Sequence, residues 1–234
     1  MKWSRSELDH LLPILEQVSS DLAPVDGKQI LVLCSATGEV AFWLGEMIER
    51  GKVTGLELNR ESLDIARRSA HEMGLESVVE FQAAEKQLIP TPDSIFDALV
   101  SDFVVYPTST PTEIGQPEMA RVLAPGGKMI LTDVILSKPL PQDVRDELQA
   151  IGLDYLCEGT QDDFQSWMTG AGLVNVQILD LTPSVRKVWE YRRAADRTTA
   201  HQLGYSYLLD DLHFGLGEAI FYIYMSGEKP NPHL

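Results

Sequence analysis

Two cysteines, at positions 34 and 157, are too few for a disulfide framework, and no C-x-x-C or cysteine–histidine spacing offers a structural zinc site or any other metal centre. Long apolar runs are missing as well. The longest, at 30–36 and 219–225, reach about seven residues against the roughly 20 that a membrane-spanning helix needs. Basic side chains are scarce: 19 Lys and Arg stand against 35 Asp and Glu, a formal charge of −16. A field of that sign repels phosphate backbones and anionic bilayers, which argues against nucleic acid and membrane partners. Charges at Glu7, Asp9 and Glu16 interrupt the first twenty residues, so these do not read as a signal peptide. A reduced, cytoplasmic globular protein is expected. At 234 residues it buries roughly 70–75% of its unfolded surface and needs no covalent staple.

What is present is a regular alternation. Leu8, Leu11, Leu12 and Leu15 recur at helical spacing behind a Ser4–Glu7 capping box, which predicts a helix over 5–19. Gln29–Cys34 is a short run apolar at nearly every position, the mark of a strand buried on both faces of a parallel sheet. A helix over 38–50 closed by Gly51 follows, then a strand at 53–58 and a helix at 60–73 between the cap Asn59 and the stop Gly74. Further strands are expected at 78–83, 96–102, 128–135, 173–180 and 218–226, with helices at 117–123, 141–152, 161–169 and 184–197 and a turn at 124–127. Strands alternating with helices mean a doubly wound α/β sheet. No linker divides the chain, so 1–234 reads as one domain, and 182–217 breaks the rhythm as a cap-like insertion.

In open α/β sheets, ligands sit beyond the carboxyl ends of the strands where the strand order reverses. The loop after the first strand, Cys34-Ser35-Ala36-Thr37-Gly38, is built of small residues and runs into a helix N-terminus. Glu57, nineteen residues beyond Gly38, ends the second strand, where a carboxylate can accept two hydrogen bonds from a ribose diol. Loop, acid and strand order together describe a nucleoside-cofactor site.

The segments ILVLCSATGEV (30–40), VTGLELNRESLDIARRSA (53–70), FDALVSDFVVYP (96–107) and RVLAPGGKMILTDV (121–134) resemble class I S-adenosylmethionine-dependent methyltransferases. Within that superfamily, LAPGGKMILTDVILSKPLP is most similar to the ubiquinone/menaquinone C-methyltransferases and the arsenite methyltransferases. The resemblance implies a Rossmann-like, mostly parallel sheet of seven strands, the last antiparallel and inserted beside the fifth. It implies S-adenosyl-L-methionine as cofactor and a small-molecule methyl acceptor. It also implies a methionine moiety over the first loop, ribose on Glu57, and adenine between Leu58 and Ala84–Glu85. Ser101 and Asp102 would line the methyl-transfer side. The chain departs from the family pattern at Cys34 and Ala36, where glycines are usual, and at Val32 and Ala83, where acids are usual.

Methyl transfer from an activated sulfonium needs positioning more than a catalytic signature. Asp102, Tyr106 and His201 are the candidate catalytic side chains. Each has a plainer reading: Asp102 as a strand-end cap, Tyr106 as a pocket wall, and His201 as a surface histidine of an aromatic cap with Tyr205, Tyr207, His213 and Phe214. Arg186, Lys187, Arg192, Arg193 and Arg197 form a basic cluster that reads as a solvated helix face, anchored by Trp189 and Tyr191. An arsenic site is not expected, because only Cys34 and Cys157 are available; Cys157 reads as a helix-end thiol. Two alternatives stand beside the methyltransferase. A non-catalytic binding protein of the same fold draws on the altered loop. A nicotinamide-dependent oxidoreductase shares the strand-end acid but would need glycines at 34, 36 and 39.

Overall fold

In the computed structural model, which describes residues 12–33, 38–84, 88–102, 115–153, 156–196 and 198–232, the apolar run Gln29–Leu33 is β1 at the heart of a single sheet. The other strands are β2 (Lys52–Glu57), β3 (Val79–Ala83), β4 (Phe96–Asp102), β5 (Leu123–Leu136), β6 (Cys157–Glu158), β7 (Val174–Asp180) and β8 (Ile220–Glu228). Their order is β3-β2-β1-β4-β5-β8-β7, with β6 pairing beside β5. Pairing from β3 across to β5 is parallel, whereas β8 runs antiparallel between β5 and β7. This is the mostly parallel α/β sheet the alternation implies, with the inserted antiparallel strand. The two-residue β6 is additional.

Eight helices are described: α1 (Leu12–Leu22), α2 (Glu39–Gly45), α3 (Arg60–Met73), α4 (Gln116–Val122), α5 (Gln142–Ala150), α6 (Gln161–Gly170), α7 (Thr182–Ala195) and α8 (Thr199–Leu209). One face of the sheet packs Ile30, Val32, Val53, Val79, Val100 and Tyr224 against α1, α2 and α3. The other packs Leu31, Leu33, Leu99, Leu131 and Ile223 against α4 and α6. Each Leu or Ile wholly withdrawn from water contributes about 1.5–3 kcal/mol, so these two layers carry most of the stability. A third cluster covers the carboxyl end of β5, where Val134 and Leu136 meet Val144 and Leu148 of α5, Trp189 of α7 and Leu208 of α8. Polar bonds fix α1 to the sheet. The Tyr224 hydroxyl donates to Asp21 Oδ2 at 2.6 Å, and Trp43 Nε1 of α2 donates to Ser19 Oγ at 2.8 Å.

Several boundaries differ from the expectations for physical reasons. Residues 1–11 lie outside the described ones, and α1 continues past 19 to Leu22, whose side chain is buried. The helix expected over 38–50 stops at Gly45; Gly51, at φ 105°, turns the chain into β2 rather than closing a helix. Ala124–Gly127, expected as a turn, loops out within the long β5, since Phe96 pairs with Leu123 and Ala98 with Lys128. The mixed segment after 197 contains α8. Cys157 lies in β6, not at a helix end. Trp189 is buried as an anchor, but Tyr191 is 66% exposed and anchors nothing.

Candidate active site

The strand order reverses between β1 and β4: the chain steps outward to β3 and then returns to the other side of β1. The carboxyl ends of these strands, at Leu33, Glu57, Ala83 and Asp102, therefore border the crevice in which such folds bind ligands. Of the first loop, Cys34, Ser35, Ala36 and Thr37 lie outside the described residues. Gly38 is described and caps α2 in the left-handed region at φ 105°. A Cβ there would come within 2.6 Å of Phe42 and 2.8 Å of Phe81, whose rings meet edge to face with centroids 5.4 Å apart. Glycine is thus demanded twice, by conformation and by space.

Glu57 ends β2 at 8% exposure, beside Ala83. Its Oε1 accepts the Asn59 backbone N–H at 2.7 Å, which fixes the carboxylate at the strand end. Asn59 then turns the chain into α3, its Oδ1 accepting from Glu61 N at 2.8 Å and Ser62 N at 3.1 Å. Between Glu57 and this cap, Leu58 is 49% exposed, an apolar side chain at the crevice rim. The Ala84 N–H donates to the Glu57 carbonyl at 2.9 Å, so Leu58 and Ala84 both adjoin the acid. Glu85 lies outside the described residues. A buried acid beside an apolar rim fits a sugar diol joined to a flat heterocycle.

At the end of β4, Ser101 is fully buried and its Oγ has no hydrogen-bond partner among the described residues. Asp102 closes the strand, its Cα paired with that of Thr132; Tyr106 lies outside the described residues. Sequence reasoning missed a neighbour. Asp133, 4% exposed, follows the last described β4–β5 pair, Asp102 with Thr132. The Val134 N–H donates to Asp133 Oδ1 at 2.7 Å. The only signal in the sequence is a single acid inside the apolar run LTDVIL.

His201 is not brought to these strand ends by any hydrogen bond among the described residues. Its Nδ1 lies 2.6 Å from Asp196 Oδ2, and the Tyr205 hydroxyl donates to the same oxygen at 3.3 Å. The His201 ring, with the Thr198 hydroxyl and N–H, holds the Asp196 carboxyl well below the usual carboxylate range. This cluster joins α7 to α8, at the opposite end of α8 from Leu208, which receives the Leu216 N–H ahead of β8. The basic cluster is largely engaged: Arg186 bonds the Leu209 carbonyl, Arg193 pairs with Asp210 at 2.6 Å, and Arg192 stacks on Trp189 at 4.7 Å. Among the described residues, no helix is long and apolar enough to cross a membrane.

Comparison with known proteins bears on this crevice. The Methyltransferase domain family matches residues 24–172, more than half of the chain, from the end of α1 to the end of α6. The chain is 26% identical over 182 residues to the ubiquinone/menaquinone biosynthesis C-methyltransferase UbiE of Enterobacter sp., covering 68% of this chain and 71% of that protein. It is 34% identical over 133 residues to the demethylmenaquinone methyltransferase of Thermus thermophilus, covering 57% of this chain and 54% of the relative, about half its length. In fold it is similar to the geranyl diphosphate C-methyltransferase of Streptomyces coelicolor, solved with Mg2+, geranyl diphosphate and S-adenosyl-L-homocysteine. That match has a TM-score of 0.72 at 16% identity and covers 96% of this chain and 81% of the other. The chain belongs to the Methyltransferase domain family, and it is a class I S-adenosylmethionine-dependent methyltransferase akin to the ubiquinone/menaquinone C-methyltransferases.

Proposed function

We propose that this enzyme methylates a ring carbon of a small hydroxylated aromatic acceptor of the quinol type, and that Glu57 is the principal anchor of its cofactor. The observation that carries the cofactor assignment is a buried carboxylate held at the carboxyl end of β2 beside the apolar rim of Leu58 and Ala84. In this reading Glu57 accepts the ribose hydroxyls, Leu58 and Ala84–Glu85 flank the adenine, and Cys34, Ser35, Ala36, Thr37 and Gly38 lie under the methionine moiety. Ser101 and Asp102 border the side on which the acceptor sits. The relatives' names, demethylmenaquinone methyltransferase among them, support the acceptor class.

When bound, S-adenosyl-L-methionine supplies a methyl group already activated on a sulfonium. The protein's task is then to hold the acceptor carbon in line at about 3–3.5 Å and to exclude water, which by itself accounts for several kcal/mol of rate acceleration. The 182–217 segment, with α7 and α8 packed at the carboxyl end of β5, is read as the cap that does so, within one domain spanning the chain. The composition, with two cysteines and an excess of acids, supports a cytoplasmic setting. The test is anaerobic incubation with S-adenosyl-L-methionine and 1,4-naphthalenediol, followed by mass spectrometry. Gain of one methylene on the ring is expected. Methylation on oxygen alone, or none with the cofactor product demonstrably bound, would refute the acceptor class.

A further inference from the structure

We infer that Arg67 is a positioning residue for the cofactor: by clasping the outer side of β3 it keeps the Phe81 ring against Gly38 and the strand's end beside Glu57. The inference rests on the cofactor reading proposed above, and Arg67 acts through β3 rather than on the cofactor itself. β3 stands at the end of the strand order, next to β2. Its ladder fixes which backbone groups face which way. The Val78 carbonyl accepts the Val53 N–H at 2.8 Å, and the Ala84 N–H donates to the Glu57 carbonyl at 2.9 Å. Backbone groups alternate sides along a strand, so even-numbered residues from Val78 to Ala84 face β2 and odd-numbered ones face away.

The outward groups are met from α3 and the turn that follows it. The Leu75 carbonyl, just past the end of that helix, accepts the Val79 N–H at 2.8 Å. Further along, the Phe81 carbonyl accepts from two nitrogens of Arg67 at once, Nε at 3.1 Å and Nη2 at 2.9 Å. A charged donor makes such bonds roughly twice as strong as neutral ones. Arg67 follows Ala66, which is buried in the same layer as Phe81 and Val79. α3 therefore packs on one face of β3 while its arginine reaches round the strand's outer side.

Two parts of the crevice hang on this clasp. Phe81 is buried, its ring meets Phe42 edge to face, and the pair closes the space beside Gly38. Two residues beyond Phe81, Ala83 pairs with Glu57, and Ala84 bonds the Glu57 backbone. α3 itself starts from Asn59, whose N–H holds the Glu57 carboxylate. Arg67 thus joins the helix that leaves the ribose acid to the strand that ends beside it. Were β3 to lift from that place, the loop under the methionine moiety would lose its Phe81 wall and the adenine its Ala84 flank. A site competent for only a fraction of the time binds more weakly by that fraction. Lysine cannot reproduce the fork, because its one nitrogen lacks the planar pair of N–H groups.

The test is titration of the wild type, Arg67→Met and Arg67→Lys with S-adenosyl-L-homocysteine, with hydrogen exchange followed on the same proteins. Arg67→Met keeps the apolar stem and removes the fork. Its Kd is expected to rise about fivefold or more, with R67K in between. The Ala84 amide should exchange faster in R67M, and the Leu63 amide of α3 should not. A Kd in R67M within about twofold of the wild type overturns the proposal. So does equal weakening in R67M and R67K with faster exchange throughout α3, the mark of a merely structural contact. Coupling is reciprocal, so the cofactor product should in turn tighten the clasp and slow exchange of the wild-type Arg67 Nε–H about fivefold or more. That measurement decides the matter if R67M does not fold, and unchanged exchange overturns the proposal. No binding to the wild type would strike the cofactor reading itself, and this inference with it; binding that R67M leaves intact strikes the inference alone.

Discussion

At the scale of single residues, the crevice beyond the strand ends depends on atoms with no room to change. Gly38 combines a left-handed backbone with contact against the Phe42–Phe81 pair. Gly38→Ala should cost about 1–3 kcal/mol, read as a lowered midpoint in thermal unfolding. Asn59 carries two helix N–H groups on one oxygen, and Asn59→Ala should cost about 1 kcal/mol by the same measurement. Both positions are legible in sequence, because a cap and a glycine at a loop–helix junction act locally. Glu57 is legible for a related reason: its place at the end of a strand follows from periodicity alone. Asp133 is not, since nothing local in the run LTDVIL tells a buried acid from one that faces solvent.

Secondary-structure elements are held at their ends by polar clasps. Tyr224 of β8 bonds Asp21 of α1, and burial and the Asp21 carboxylate together push the phenol far up, so it stays protonated as a donor. Tyr224→Phe should cost about 1–3 kcal/mol, with amide exchange rising first in α1. Asp26 is the clasp before β1. It accepts the backbone N–H of Arg50 at 2.7 Å and of Glu49 at 2.9 Å, and with the Arg50 guanidinium these hold its carboxyl down from 3.8 to about 2. A depressed carboxylate stabilises the fold above its unfolded pKa and loses that contribution as pH falls through the folded one. Acid titration of unfolding should therefore show a loss between pH 3.8 and about 2 that Asp26→Asn lacks. The clasp at Asp26, tying 26 to 49–50, also explains why Gly51 misleads as a helix stop: the chain has left α2 at Gly45 and is already turning into β2. Likewise α8 hides in sequence because Gly204, small enough to sit against the Glu147 carbonyl of α5, weakens its helical signature.

For the molecule as a whole, the parallel pairing of β1 with β2 and with β4 puts the acid of β2 and the end of β4 at the same end of one sheet. The central claim is that this end grips a ribose through Glu57. Isothermal titration of the wild type and Glu57→Gln with S-adenosyl-L-homocysteine tests it most directly, because glutamine can still accept the Asn59 N–H and so leaves the local fold in place. A wild-type heat of binding, with affinity reduced by about 10–100-fold in E57Q at unchanged thermal stability without ligand, is the predicted result. Equal affinity in the two proteins, or no binding to the wild type, would contradict it.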